Sequence, residues 1–245
     1  MRIICLIFSV AISINTRSQE NNSYYVFNSE WKPTSVDSMK YLLHIHKISD
    51  TCWQWDYYNS FGPLLRTEQY RNHDGEEMDG ICNHYNESGY LDSTSVYKRG
   101  KKNGDFFKIT GDGKHHLKLR YRYKDDSLLE LTDYDKQVQD SSKKYEDEKE
   151  SEYPGGLNQW KKYLTKNLKY PERAVNSKIE GDVRVAFIVD TAGHVQDPYI
   201  AKSVEYSIDE ESIRIVRESG KWIPAFQHGK YVKSYKTQPI YFRLY

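Results

Sequence analysis

Alternating apolar and polar residues in the last third of the chain predict three strands. Apolar side chains at every second position are typical of a strand with one face on a core. The clearest run consists of Val183, Val185, Phe187 and Val189. A turn at Thr191–Gly193 returns the chain through Val195 toward Ile200, and the chain finishes as a strand from about Tyr235 to Leu244. We expect these segments to pair as one antiparallel sheet.

Two helices are predicted around that sheet. Large apolar residues recur at helical spacing and give the first helix one apolar stripe. They are Leu157, Trp160, Leu164 and Leu168. The pair Tyr170-Pro171 ends this helix, because a residue before proline is pushed out of helical conformations. The second helix begins at a predicted capping box of Ser207 and Glu210 and ends at Gly220.

The region before residue 135 contains short strand-like runs that are separated by glycine turns. The runs are Leu64–Tyr70, Tyr90–Tyr97 and His116–Tyr123. Alternating runs bounded by such turns indicate hairpins, and their spacing of roughly 24–27 residues leaves room for two strands per repeat. The predicted fold class is therefore α+β. A repeat-built antiparallel β-sheet comes first, and a domain of two helices and a three-stranded antiparallel sheet follows.

Changes in composition divide the chain into four segments. Residues 1–18 are a predicted signal peptide, and the aromatic, glycine- and asparagine-rich stretch 19–135 is the repeat-built sheet. Residues 136–152 are charged and nearly free of apolar side chains. That composition favours a flexible linker, with a short solvated helix as the alternative. The final domain occupies residues 153–245.

The amino terminus has the pattern of an export signal. Met1-Arg2 supplies a positive start, Ile3–Ile14 is an apolar run, and small residues precede a cleavage site before Gln19. The run falls well short of the ~20 apolar residues of a membrane-spanning helix. We therefore expect a periplasmic or cell-envelope protein that is exported and released from its signal peptide.

Charge and motifs argue against several classes of function. The formal net charge is +1, with 36 basic and 35 acidic residues interspersed. Nucleic-acid binders need a basic patch, so nucleic acid is not an expected partner. His44 and His46 share one strand face and His115-His116 opens another, but the spacing shows no convergence of the three or four ligands that a metal needs. No metalloprotease, nucleophile-elbow or phosphate-loop motif occurs. We predict no enzymatic activity, no cofactor and no metal site.

Two cysteines remain after removal of the signal peptide. In an oxidising envelope Cys52 and Cys82 could form a disulfide that closes a loop of about 30 residues, which would add ~3–4 kcal/mol to the free energy of unfolding. The alternative is two unrelated buried thiols. The sequence leaves both interpretations open.

The final domain carries a series of motifs in a fixed order. They are Lys169–Ala174, Gly181–Asp190, Thr191–Gly193, Lys221–Ala225, Gly229–Lys230 and Gln238–Leu244. Over residues 153–245 this series resembles the carboxy-terminal domain of TonB, the periplasmic protein that pulls on outer-membrane transporters. The resemblance implies a domain that captures a short extended segment by adding it to a sheet edge. The implied partner is an outer-membrane TonB-dependent transporter or another envelope protein.

The last strand is the expected binding site. A final strand at a sheet edge presents unpaired N–H and C=O groups to a partner, although Pro239 limits where a guest can pair. The predicted peptide-binding residues are Tyr170, Pro171, Lys236, Thr237, Gln238, Ile240, Tyr241, Phe242, Arg243 and Leu244. For Tyr170-Pro171 the alternative is a helix stop with a packed aromatic ring. Proline at Ile240 or Phe242 is expected to abolish binding and leave a soluble fold.

The amino-terminal repeats have a resemblance of their own. Tyr85–Gly89 and Tyr97–Phe106 resemble the MORN-like repeats of the YwqK antitoxin-component family, whose name implies no ligand. An alternative function is therefore a structural or glycan-binding envelope scaffold, in which tyrosines of the repeat sheet contact peptidoglycan. TonB itself keeps an uncleaved membrane helix and a long proline-rich spacer, and neither is predicted here. An adaptor that depends on another protein for force is the corresponding expectation.

Overall fold

A computed structural model of the protein describes residues 21–109, 117–134 and 148–244. The predicted signal peptide, the His115-His116 pair and most of the predicted linker lie outside these residues. None of the helices in the described part of the chain has both the length and the apolarity to cross a bilayer.

The amino-terminal region folds as a ten-stranded antiparallel sheet whose spatial order follows the chain. The strands are β1 (Asn22–Phe27), β2 (Tyr41–Ser49), β3 (Cys52–Asn59), β4 (Leu64–Tyr70), β5 (Met78–Tyr85), β6 (Leu91–Lys98), β7 (Lys101–Lys102), β8 (Gly104–Ile109), β9 (Leu117–Lys124) and β10 (Ser127–Asp133). A 3₁₀ turn at Val36–Ser38 lies between β1 and β2, and β7 pairs with the end of β6. The predicted antiparallel sheet is thus confirmed. Glycine-containing turns connect β3 to β4, β4 to β5 and β5 to β6, whereas Asp125-Asp126 connects β9 to β10.

The two faces of this sheet have different environments. Side chains alternate along β2 and β3, so Leu42 and Tyr58 point to one face and join the core of the carboxy-terminal domain. Leu43, Ile45 and Tyr57 point to the other face and form a separate apolar cluster. The first strands therefore carry apolar side chains on both faces.

The carboxy-terminal region contains three helices and a three-stranded antiparallel sheet. Its elements are α1 (Gly156–Asn167), α2 (Glu172–Asn176), β11 (Gly181–Val189), β12 (Val195–Lys202), α3 (Tyr206–Arg217), β13 (Ala225–Gln227), β14 (Lys230–Val232) and β15 (Ser234–Phe242). The sheet order is β12-β11-β15, and β13 and β14 form a separate hairpin. The α+β fold class is confirmed, and α2 is the short helical turn after Pro171.

Strand β11 supplies the centre of the carboxy-terminal core. Its four alternating apolar side chains are completely buried, as the sequence pattern predicts. Ile208, Ile215 and Val216 of α3 are completely buried with them. Each such side chain contributes roughly 1.5–3 kcal/mol through removal from water.

The predicted capping box at Ser207 and Glu210 is wrong. Helix α3 begins at Tyr206, and its N-cap is Glu205, two residues before the predicted cap at Ser207. The Glu205 carboxylate accepts hydrogen bonds from Ser207 N (2.9 Å) and Ser207 Oγ (2.7 Å). It also pairs with Arg173 of α2 at 2.5 Å, so a residue distant in the sequence stabilises the buried cap.

The amino-terminal sheet packs directly against the end of β12. Gly89 O accepts a hydrogen bond from Ser203 N at 2.8 Å, and Ser203 Oγ accepts one from Leu64 N at 2.7 Å. Tyr85 Oη donates to Ile200 O at 2.9 Å. Gly89 has a positive φ of 79°, and a Cβ there would lie 2.4 Å from Ser203 O. The close approach of the two backbones therefore requires glycine at this position.

The described end of the predicted linker also joins the carboxy-terminal region. Lys149 exchanges backbone hydrogen bonds with Phe226, and Glu152 exchanges them with Ile223. Residues 149–152 consequently run beside the start of the β13–β14 hairpin.

Candidate functional site

Strand β15 occupies one edge of the three-stranded sheet. It pairs antiparallel with β11 along its length, from Ser234 opposite Val189 to Phe242 opposite Gly181. Among the residues that the structure describes, no strand pairs with the other side of β15. An edge of this kind leaves a row of backbone N–H and C=O groups for a further strand.

Pro239 identifies the residues whose backbone groups face outward. It lies opposite Arg184 of β11, and proline is accommodated in an edge strand where its missing N–H faces solvent. Backbone groups alternate in direction along a strand. Residues 235, 237 and 241 are an even number of positions from Pro239, so the N–H groups of Tyr235, Thr237 and Tyr241 point outward as the proline nitrogen does. Position 239 itself offers no N–H.

Side chains of β15 alternate between solvent and core. Tyr235 is 80% exposed, Tyr241 is 60% exposed, and Thr237 is also exposed. Ile240 and Phe242 are completely buried beneath the sheet. The side chains of these two predicted binding residues anchor β15 in the core, so proline at either position would disrupt the core. Their complete burial argues against the expectation that such variants keep a soluble fold, which stays a prediction.

A groove of about 140 Å³ lies beside β15, next to the amino-terminal end of α1. Its lining residues come from β15, from α1 and from the aromatic core between them. They are Glu152, Tyr153, Gly156, Leu157, Trp160, Trp222, Lys236 and Gln238. Leu157 is 62% exposed although the helical stripe predicts it in the core, so apolar surface remains available at the rim of the groove.

The far end of β15 is fixed by local hydrogen bonds. Arg243 donates to Gly181 O at 2.9 Å, and Leu244 N donates to the Glu180 carboxylate at 2.6 Å. At the other end, Lys236 Nζ lies 3.9 Å from a Glu150 carboxylate oxygen. Both ends of the edge therefore contact neighbouring segments of the chain.

Tyr170 and Pro171 lie behind this edge. Tyr170 Oη donates to Ile179 O at 2.6 Å, and its ring packs edge-on against Phe242 with the ring centres 5.4 Å apart. Burial raises the pKa of Tyr170. Pro171 is the N-cap of α2. These contacts fit the alternative interpretation of a helix stop with a packed aromatic ring.

The two cysteines are free thiols. Cys52 begins β3 and Cys82 lies in β5, with β4 between them. Strands are about 4.8 Å apart, so the two backbones are separated by about 10 Å, more than the ~7 Å that a disulfide can span. The disulfide considered from the sequence is not formed, because the meander places one strand between its two sulfur atoms.

Several tyrosines and histidines of the repeat sheet make tertiary contacts that bear on the predictions for this sheet. Tyr57, Tyr58 and Tyr85 are buried, and glycan stacking by this sheet stays a prediction. His44 and His46, which showed no convergence in the sequence, form a cluster with Asp56. The only sequence signal for the cluster was the shared strand face of the two histidines, since their partner comes from the next strand.

A small α+β domain with a free, partly apolar sheet edge is typical of domains that bind other proteins through an added strand. Comparison with protein families shows that residues 166–244 match the family described as Gram-negative bacterial TonB protein C-terminal. The match indicates a TonB C-terminal domain in this segment. Domains of that family are non-enzymatic, act in energy transduction and protein interaction, and interact with outer-membrane TonB-dependent transporters in envelope-associated proteins. No curated protein and no solved structure matches the chain. The MORN-like resemblance of the repeats stays a prediction.

Proposed function

We propose that this protein binds an extended segment of an outer-membrane TonB-dependent transporter along the outer edge of β15. The bound segment would extend the sheet order to β12-β11-β15-guest, and the complex would support energy-coupled transport. We place the protein in the periplasm, after export and cleavage before Gln19. The proposal rests on one observation. Within the described residues, no strand pairs with the outer side of β15.

Main-chain hydrogen bonds supply the affinity in this binding mode. Tyr235, Thr237 and Tyr241 direct N–H groups outward. Backbone C=O groups of the guest strand would accept hydrogen bonds from them. A typical hydrogen bond contributes about 0.5–1.5 kcal/mol net, so a few bonds give a modest affinity that needs further contacts. Pro239 has no backbone N–H, so the guest residue opposite it would lack a donor for its C=O group.

The groove beside β15 supplies selectivity. Side chains of an added strand alternate between the two faces of the sheet, so every second guest side chain points toward the face that carries Trp160 and Trp222. The exposed Leu157 at the rim and the aromatic walls favour an apolar or aromatic guest side chain. Lys236 favours an acidic residue in the guest at the same end.

Replacement of Thr237 by proline tests the edge without touching the core. The substitution removes one outward N–H and leaves the hydrogen bonds from β15 to β11 in place. We expect the affinity for synthetic peptides that tile the periplasm-facing segment of candidate transporters to fall about tenfold or more, which corresponds to about 1.4 kcal/mol. Isothermal titration calorimetry on the full chain measures the change.

The matched control is Thr237→Ala, which removes the same side chain but keeps the N–H. It should bind as the wild type does, and both variants should unfold at nearly the same temperature. Hydrogen exchange gives an independent reading, because a guest strand should protect the amides of Tyr235, Thr237 and Tyr241 and not those of Lys236 and Gln238. Wild-type affinity in a folded Thr237→Pro protein would rule out pairing at this edge.

A further inference from the structure

A second site lies in the amino-terminal sheet, on the face that meets the carboxy-terminal domain. His44 of β2 lies directly opposite Asp56 of β3 in the strand register, and His46 follows two residues along the same face. One ligand atom from each residue lies within 4.8 Å of the corresponding atoms of the other two. His44 is 2% exposed and Asp56 is 4% exposed, so two members of the cluster are almost completely removed from water.

The two histidines present ring nitrogens that have no hydrogen-bond partner. Nδ1 of His44 and Nδ1 of His46 are both buried and unpaired. His46 Nδ1 lies 3.5 Å from Asp56 Oδ2, which is too long for a good hydrogen bond. An unpaired buried polar group costs roughly 1–3 kcal/mol, and two such groups beside a buried carboxylate point to a missing partner.

Supporting contacts already orient the cluster. His44 Nε2 lies 3.0 Å from Asn22 Oδ1, an acceptor, so this nitrogen carries the proton and Nδ1 carries the lone pair. Gln54 Nε2 donates to Asp56 Oδ1 at 2.9 Å, which leaves Asp56 Oδ2 directed toward His46. Metal-binding histidines and carboxylates are commonly held by such outer hydrogen bonds.

The rings around the cluster restrict its movement. Tyr24 stacks on His44 with the ring centres 4.6 Å apart, and His46 also stacks on His44 at 4.6 Å. Tyr206 of α3 contacts the His44 ring edge-on at 5.2 Å, and its hydroxyl meets that of Tyr24 at 2.7 Å. The cluster thus lies at the junction between the sheet and the carboxy-terminal domain.

Charged side chains of α3 surround the cluster. Glu210 and Asp209 act electrostatically on Asp56, and Arg217 acts on His46. A divalent cation held by the two imidazoles and the Asp56 carboxylate would offset the cost of burying that carboxylate.

We propose that His44, His46 and Asp56 form a binding site for a divalent transition metal, with Zn²⁺ as the ion that fits best. Zinc accepts imidazole nitrogen and carboxylate oxygen, and a site with three protein ligands keeps a fourth position for water. Zinc–ligand bonds of about 2.0–2.1 Å place tetrahedral ligand atoms about 3.4 Å apart. The 3.5 Å separation of His46 Nδ1 and Asp56 Oδ2 already matches that value.

A bound zinc ion would join β2 to β3 at the face against α3. It would give the two unpaired nitrogens a partner and neutralise the buried carboxylate. Its effect would therefore be to stabilise the junction between the repeat sheet and the TonB C-terminal domain. This inference does not depend on the proposed function of β15.

Zinc binding to the full-length protein tests the site. After removal of metal with a chelator, the wild type should bind one Zn²⁺ per chain, as measured by competition with a chromogenic chelator, and its Tm should rise with added zinc. The variant Asp56→Asn keeps the shape of the side chain and should weaken zinc binding at least about 100-fold and abolish the rise in Tm. His46→Gln, at a partly buried position, should act in the same way.

The matched control is His194→Gln. His194 lies 3.3 Å from Asp190 in an exposed histidine–aspartate pair, so its loss should leave zinc affinity unchanged. Co²⁺ in place of zinc should give the visible absorption of a four- or five-coordinate ion in the wild type and in His194→Gln only. The inference is overturned if the wild type binds no zinc, or if folded Asp56→Asn and His46→Gln proteins bind zinc as tightly as the wild type does.

Discussion

The two edges of the three-stranded sheet differ in what meets them. The end of β12 contacts the repeat sheet through Ser203, which hydrogen-bonds to Gly89 and Leu64. The outer side of β15 pairs with no strand in the described part of the chain. One edge thus contacts the repeat sheet inside the molecule, and the other is the edge at which we propose that a guest strand binds. The position of the repeat sheet therefore distinguishes the two edges.

The largest effect is expected at the core-facing residues of β15. Ile240→Pro removes an N–H that points toward β11 and places a rigid ring in a completely buried position. We expect a loss of about 3 kcal/mol or more in the free energy of unfolding, measured by urea denaturation. Thr237→Pro, with an outward N–H, should lose far less. Equal losses in the two variants would contradict the assignment of inward and outward positions.

A pH-dependent effect is expected at the β12 edge. Asp209 is buried, accepts hydrogen bonds from Ser203 Oγ at 2.5 Å and Val204 N at 3.0 Å, and has its pKa raised to about 8, chiefly by burial. Between about pH 4 and pH 8 the folded state holds a proton that the unfolded state has lost. Stability therefore falls as pH rises through this range, by up to about 1.4 kcal/mol per pH unit.

Asp209→Asn removes that titration and keeps an oxygen for Val204 N. The variant should show a flatter profile of the free energy of unfolding between pH 4 and pH 8, obtained from denaturation series at several pH values. Ser207→Ala, which lies on the same helix and loses a hydroxyl that contacts Glu205, is the control and should keep the slope. A slope unchanged in Asp209→Asn would assign the pH dependence to other groups.

The smallest effect is expected at the close contact of the two sheets. Gly89→Ala places a Cβ 2.4 Å from Ser203 O at a positive φ, and we expect a loss of about 1–2 kcal/mol. Peptide affinity at β15 should be unchanged, because the two edges lie on opposite sides of β11. Gly100→Ala has a similar φ of 74° with no atom near the added Cβ, so it measures the backbone strain alone. A Gly89→Ala loss no greater than that of Gly100→Ala would show that the contact does not matter.

Elements built from local patterns were predicted well. Strand β4 has the predicted bounds, and the alternation in β11 identified its buried face, because strand period and turn residues act over only a few positions. The Glu205 cap was missed since its partner Arg173 comes from another helix. Leu157 was wrongly assigned to the core, and in the described part of the chain it lies 62% exposed at the rim of the groove beside β15.

Local sequence patterns are sufficient to specify the strands, the turns and the TonB-like motifs of this chain, because each depends on neighbouring residues. The positions of the functional groups depend on register and docking, which arise only when distant segments meet. A shift of one residue between β2 and β3 would turn His44 and Asp56 to opposite faces, and the hydrogen bond between Gly89 and Ser203 places the end of β12 against the repeat sheet. The free edge of β15 and the histidine–aspartate cluster are therefore properties of the assembled sheets.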